Sequence, residues 1–101
     1  MDPDNTEFMI SDVVASAAGR DQGKLFYVIG TDPVYLILAN GKDRTLDKPK
    51  RKKRKHIQKV LRSETRVAEK LRAGDKVLNG ELRRALAAFS RDMQSDDLGG
   101  F

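Results

Sequence analysis

Lys48 to His56 reads KPKRKKRKH, and seven of these nine residues are lysine or arginine. Guanidinium forks and ammonium point charges neutralise phosphate oxygens and release their counterions, mostly without reading base sequence. The charge is placed unevenly along the chain. Residues 1–41 carry net −4, residues 42–62 net +9 and residues 63–101 net zero, so the formal +5 understates a local basic site. Such a concentration draws in polyanions and costs self-repulsion. Two other uses are open to it. PKRKKRK would serve as a nuclear import signal in a eukaryotic chain, and polybasic segments adsorb to anionic membranes. No amphipathic anchor lies beside the tract, so the expected partner is nucleic acid and not a membrane. A merely solvated run of charge is the bland alternative; it suits mixed-sign runs better than this almost purely basic one.

The rest of the chain offers little catalytic chemistry. There is no cysteine, hence no disulfide, thiolate zinc site or thiol nucleophile. His56 is the single histidine. Neighbouring cations disfavour its imidazolium, and no second metal ligand lies nearby in sequence. Stacking on a base, or an indifferent surface position, suits it better. The carboxylates are scattered. Gly19 to Lys24, GRDQGK, invites a phosphate-loop reading, but only three residues separate its glycines, and Leu25 stands where Ser or Thr would hold magnesium. A strand connection that needs glycine is the better reading, and Arg20 and Lys24 can still touch a ligand from it. No enzyme, metal site or cofactor is expected.

These groups must be positioned by a small fold. The chain has 101 residues, 39% apolar and 35% charged, which makes one domain with a modest core. The polar start Met1 to Glu7 argues against a secretory signal, and no apolar run approaches the ~20 residues of a membrane span. A cytoplasmic location is expected. Residues 1–11 read as a flexible tail that Phe8, Met9 and Ile10 can pin. Strands are predicted over Asp12–Ala18, Lys24–Gly30 and Val34–Ala39. Asn40-Gly41 is a hairpin signal, and a short fourth strand, Arg44–Leu46, should pair back. The basic tract then forms an extended, solvated loop over 48–56, opened by Pro49. Lys55–Lys59, with Ile57 inward, closes the sheet, although Val60 and Leu61 break the alternation. In such an up-down path the Gly19–Gly23 loop and the Asn40-Gly41 turn share one end, and the tract starts at the other. Strands two and three are apolar on both faces, so something must cover the second face. From Ser63 the period changes. Ser63 is a candidate cap for a helix over Glu64–Ala73, with Gly74 as its stop. Asn79 is one for Glu81–Gln94, where Leu82, Ala85, Leu86, Phe89 and Met93 form the covering stripe. Residues 63–94 are thus a helical extension and 95–101 a flexible tail. Phe26, Tyr27 and Tyr35 are ring candidates for stacking, yet rings in apolar strands are more often core.

VVASAAGRDQGKLFYVIG resembles the V-x-S-x-A-G-R-D-x-G-[KR] block of the bacterial KOW-domain RNA-binding proteins. These are relatives of the KOW-type large-subunit ribosomal proteins of archaea and eukaryotes. ANGKDRTL followed by KPKRKKRKHI is similar to the family's second block, an A-[DN]-G-K hairpin and a Pro-Lys-rich stretch ending in Lys-His-aliphatic. NGELRRAL is similar, more loosely, to its acidic-start helix. The likeness runs from Asp12 to Val60. It implies a mainly β fold, a small SH3-like barrel of roughly five strands with one or two C-terminal α-helices. It also implies RNA binding, ribosomal RNA above all, and a role in translation, with ribosomal proteins as further partners and no reaction. It is the resemblance that selects RNA over duplex DNA. By position Gly23 matches the KOW glycine, and Lys24, Lys50, Lys52, Lys53, Lys55 and His56 match basic positions. Arg54 departs from the family, where an aliphatic residue is common, which leaves the inward register of the last strand open. The expected RNA contacts are Lys48, Lys50, Arg51, Lys52, Lys53, Arg54, Lys55 and His56, with Arg20, Lys24, Lys42 and Arg44 fixing orientation. The alternative is a protein-interaction KOW module, which an uncovered face of Phe26, Val28, Leu36 and Leu38 would favour.

Overall fold

The computed structural model describes residues 7–62 and 65–99. Five strands are present: β1 (Asp12–Ser16), β2 (Leu25–Thr31), β3 (Tyr35–Ala39), β4 (Lys50–Lys53) and β5 (Ile57–Arg62). They form one antiparallel sheet in the order β4-β3-β2-β1-β5, with β4 and β5 as its two edges. Two helices follow, α1 (Arg66–Ala73) and α2 (Asn79–Gly99). The protein is mainly β, as predicted.

Alternation sorts the apolar strands onto two cores. Val14 lies opposite Phe26, and Val28 opposite Leu38. With Leu36, Ile57 and Phe8 these side chains form the first core. The intervening Val13, Tyr27 and Ala39 face the other way and meet Leu82 and Leu86 of α2. The predicted stripe therefore does cover the second face, with Ala85 and Phe89 half-buried beside it. The side chain of Met93 lies outside the described residues.

Several boundaries differ from expectation. Residues 7–11 belong to the body rather than to a flexible tail. Phe8 is buried, Ser11 N donates to Val28 O at 2.7 Å, and Met9 N donates to Asp12 Oδ2 at 2.9 Å. The cap of α1 is Thr65, whose hydroxyl accepts from Ala68 N at 3.3 Å, and Gly74 stops the helix in the left-handed region at φ 76°. The expected cap Ser63 and helix start Glu64 lie outside the described residues, as do 1–6 and 100–101. Asn79 is the first residue of α2 rather than its cap, because its Oδ1 accepts from Leu46 N at 2.8 Å. The helix continues past Gln94 to Gly99, so 95–99 is helical and not a frayed tail.

The largest correction concerns the fourth strand. Arg44–Leu46 does not pair back on β3; only an isolated bridge joins Thr45 to Lys48. Asn40 Oδ1 accepts from Lys42 N and Arg44 N, while Arg44 O accepts from Asn40 N and Gly41 N, so the chain closes on itself there. The strand that returns beside β3 is the basic tract. Leu38 pairs with Lys50, Ile37 with Arg51, Leu36 with Lys52 and Tyr35 with Lys53. Pro49 stands just before this strand, where it costs no ladder bond. Arg54–His56 is a single 3-10 turn, and β5 begins only at Ile57, which is buried. The broken alternation has a simple cause: Val14 pairs with Lys59 and Val13 with Leu61, so Val60 is an extra, bulged residue.

Candidate nucleic-acid interface

A strand of cations must put alternate side chains on opposite faces. Lys50 and Lys52 share the face of their partners Leu38 and Leu36, the face of the first core. Both turn inward and find oxygen. Lys50 Nζ pairs with the carboxylate of Asp21. Lys52 Nζ donates to Ser16 Oγ and to Ala18 O, the latter at 2.7 Å, while Ser16 Oγ itself donates to Ala18 O at 2.9 Å. In sheet order β2 and β3 separate β4 from β1, about 14 Å on a flat sheet at the usual strand spacing. A contact from Lys52 to Ser16 therefore requires the sheet to curl around its first core. His56 O, accepting from Ala17 N at 2.8 Å, ties the 3-10 turn to the same end of β1.

Electrostatics follow from this geometry. The hydrogen bond from Lys50 holds the Asp21 carboxyl below its ordinary range, with Lys24 and Arg44 adding to the effect. Its contribution to stability is present above that ordinary range and is lost as pH falls through the lowered value. Burial pushes the Lys52 ammonium down, and the neighbouring Lys50 charge adds to that.

Arg51 and Lys53 point the other way, to solvent. The Arg51 guanidinium lies over the Tyr35 ring, 3.9 Å from its centroid. Lys55 is exposed on the 3-10 turn, and Lys48 is exposed before β4. Arg54 is half-buried. Its Nε donates to Asp32 O at 2.9 Å, and its guanidinium lies 5.7 Å from the Phe8 ring centroid. His56 is half-buried in the same turn.

The tract starts at the end of the sheet that holds the Gly19–Gly23 loop, not at the opposite end, because the tract itself is the returning strand. Arg20 and Lys42 are exposed there, and Arg44 is half-buried. Lys24 is committed to acids: it pairs with Asp43 at 2.9 Å and lies 3.7 Å from Asp21. The hydrogen bond from Lys24 holds the Asp43 carboxyl below its ordinary range. Among the described residues, Arg20, Lys42, Lys48, Lys53 and Lys55 have no side-chain hydrogen bond or ion pair.

The eleven cations and one histidine expected to meet a ligand thus divide. Lys50, Lys52, Lys24 and Arg54 hold the fold together. Arg51, Lys53, Lys55, Lys48, Lys42 and Arg20 are presented outward. Arg44 and His56 are half-buried and fall in neither group. Of the three rings, Phe26 and Tyr27 are fully buried and Tyr35 is half-exposed. The acidic partners Asp21 and Asp43 were not read from sequence. A carboxylate inside the GRDQGK loop was the available signal. Among the described residues no group of acids, histidine or cysteine is placed to hold a metal ion, and no helix is long and apolar enough to cross a membrane.

Compared with known proteins, the chain matches no protein-family model and no curated sequence.

Proposed function

We propose that this chain is an RNA-binding protein of the KOW type. It acts on structured, ribosomal RNA as an accessory or assembly factor. The row Arg51, Lys53 and Lys55 makes the phosphate contacts, joined by Lys48, Lys42 and Arg20. One observation carries the reading. The alternation of β4 leaves its outward cations, Arg51 and Lys53, without a salt bridge, although Arg51 feels the nearby Asp32 carboxylate, on a strand whose inward lysines are tied to Asp21, Ser16 and Ala18. Cations held on a ladder spend less ordering entropy on binding than cations on a loop. Counterion release from a polyanion then supplies the affinity.

Closure into an SH3-like barrel is part of this reading. The curl implied by Lys52 reaching Ser16 supports it, as does the 3-10 turn between the last two strands. Gly23 stands at φ 85° where the resemblance puts the KOW glycine. RNA is preferred to duplex DNA on the resemblance of residues 12–60 to the KOW-domain RNA-binding proteins. The observation that would have favoured the protein-interaction module does not hold. Phe26, Val28, Leu36 and Leu38, whose exposure would have argued for it, are fully buried.

The test is binding to ribosomal RNA fragments and to duplex DNA of equal length, over a range of salt. The parent is compared with the triple variant Arg51→Gln, Lys53→Gln, Lys55→Gln. RNA should win at moderate salt, and the variant should lose about two units of log–log salt slope, at roughly 0.7–0.9 per phosphate contact. Equal, weak binding of RNA and DNA overturns the reading, as does a variant that binds like the parent.

A further inference from the structure

We propose that the Arg51–Tyr35 pair is a platform for one unpaired nucleobase of RNA. This rests on the RNA reading above and narrows its ligand to single-stranded or looped segments. The guanidinium carbon sits over the ring, 3.9 Å from its centroid. Arg51 is nevertheless exposed, so the cation is held on the ring's face while staying open to solvent. A flat cation backed by a ring stacks on a base, whereas a lysine ammonium in its place cannot.

The surroundings fit that ligand. Register places Arg51 opposite Ile37 and Lys53 opposite Tyr35, so a cation flanks the ring along the strand. Lys53, next along the same face of the strand, and Lys55, in the turn that follows, are exposed cations available to the phosphates of that segment. The platform is rigid. Asp32 Oδ1 accepts from Val34 N at 2.8 Å and Tyr35 N at 2.7 Å, and Arg54 N donates to Val34 O at 2.9 Å, which fixes the turn from both sides. A base paired within a duplex keeps its faces stacked on its neighbours, so the platform selects against helical RNA.

The experiment uses the full chain and short single-stranded oligoribonucleotides, each carrying one 2-aminopurine at a different position. Duplex RNA of equal length is the comparison. With the parent, 2-aminopurine fluorescence should be quenched on binding. Arg51→Lys keeps the charge and the fold but loses the plane. It should abolish the quenching and weaken single-strand binding roughly ten-fold, the size expected for one stacked base. Its salt slope should stay near the parent's, because the charge is kept. Tyr35→Leu should behave alike. If Arg51→Lys quenches and binds like the parent, the platform is refuted while the RNA reading stands. It is also refuted if the parent binds duplex RNA and ignores single strands. Failure of the parent to bind either RNA removes both.

Discussion

Gly41 shows how much one position can be asked to do. Its φ is 77°, in the region that L side chains avoid, and a Cβ there would stand 2.1 Å from Asn79 O. Arg83, on the first turns of α2, lies 3.4 Å from Gly41 O through its guanidinium. The turn is thus pressed against the start of the helix with no room for a methyl group. Gly23 has a similar φ, 85°, but nothing within 4 Å of the same position. The two glycines separate strain from space. Gly23→Ala should cost about 1–2 kcal/mol for the left-handed conformation alone. Gly41→Ala should cost about 2–5 kcal/mol, because overpacking adds to it. Thermal denaturation of both variants measures the difference, and equal losses would mean that the turn is not clamped to the helix. Sequence marked Asn40-Gly41 as a two-residue hairpin with positive φ at both; only Gly41 takes it, and the chain closes as a longer loop from Asn40 to Arg44. Sequence could not reveal the clamp, since Asn79 is far away in the chain.

At the scale of the element, β4 is where sequence reading failed, for a definite physical reason. Strands are found through the alternation of apolar and polar residues, and a run of lysine and arginine has none. Its period appears only against a partner strand, where Leu36 and Leu38 assign an inner face to Lys52 and Lys50. The apolar strands β2 and β3 and the stripe of α2 were legible because their patterns are local. The alternation in β4 makes neighbouring lysines unequal. Lys52→Met removes an ammonium that donates to Ser16 Oγ and Ala18 O, and should cost about 1–3 kcal/mol. Lys53→Met, one position along and facing solvent, should fall within roughly 0.5 kcal/mol of the parent. Urea titration of the two variants reads this, and equal midpoints would contradict the assigned faces.

The described residues share two cores, and the second joins the sheet to α2. Dividing the chain at residue 62 separates Val13, Tyr27 and Ala39 from the Leu82 and Leu86 that bury them. All three strand residues are fully covered. That dependence was half legible: two-faced apolar strands demanded a cover, and α2 was the candidate. Leu82→Ala leaves a cavity between helix and sheet and should cost about 2–5 kcal/mol. The sheet and the helix should then melt together in far-UV circular dichroism. A helix that melts first, with the sheet unchanged, would restore the two-part view.

The inward lysines of β4 have a consequence for the company the molecule keeps with itself. An edge strand with free backbone groups is a template on which a second copy can add a strand. Here a second β4 laid alongside would bring lysine and arginine against lysine and arginine, with Lys50 and Lys52 already anchored to their own chain. The same run of charge therefore disfavours pairing of one β4 edge with another. That protection weakens wherever salt, or a bound polyanion, screens the charge.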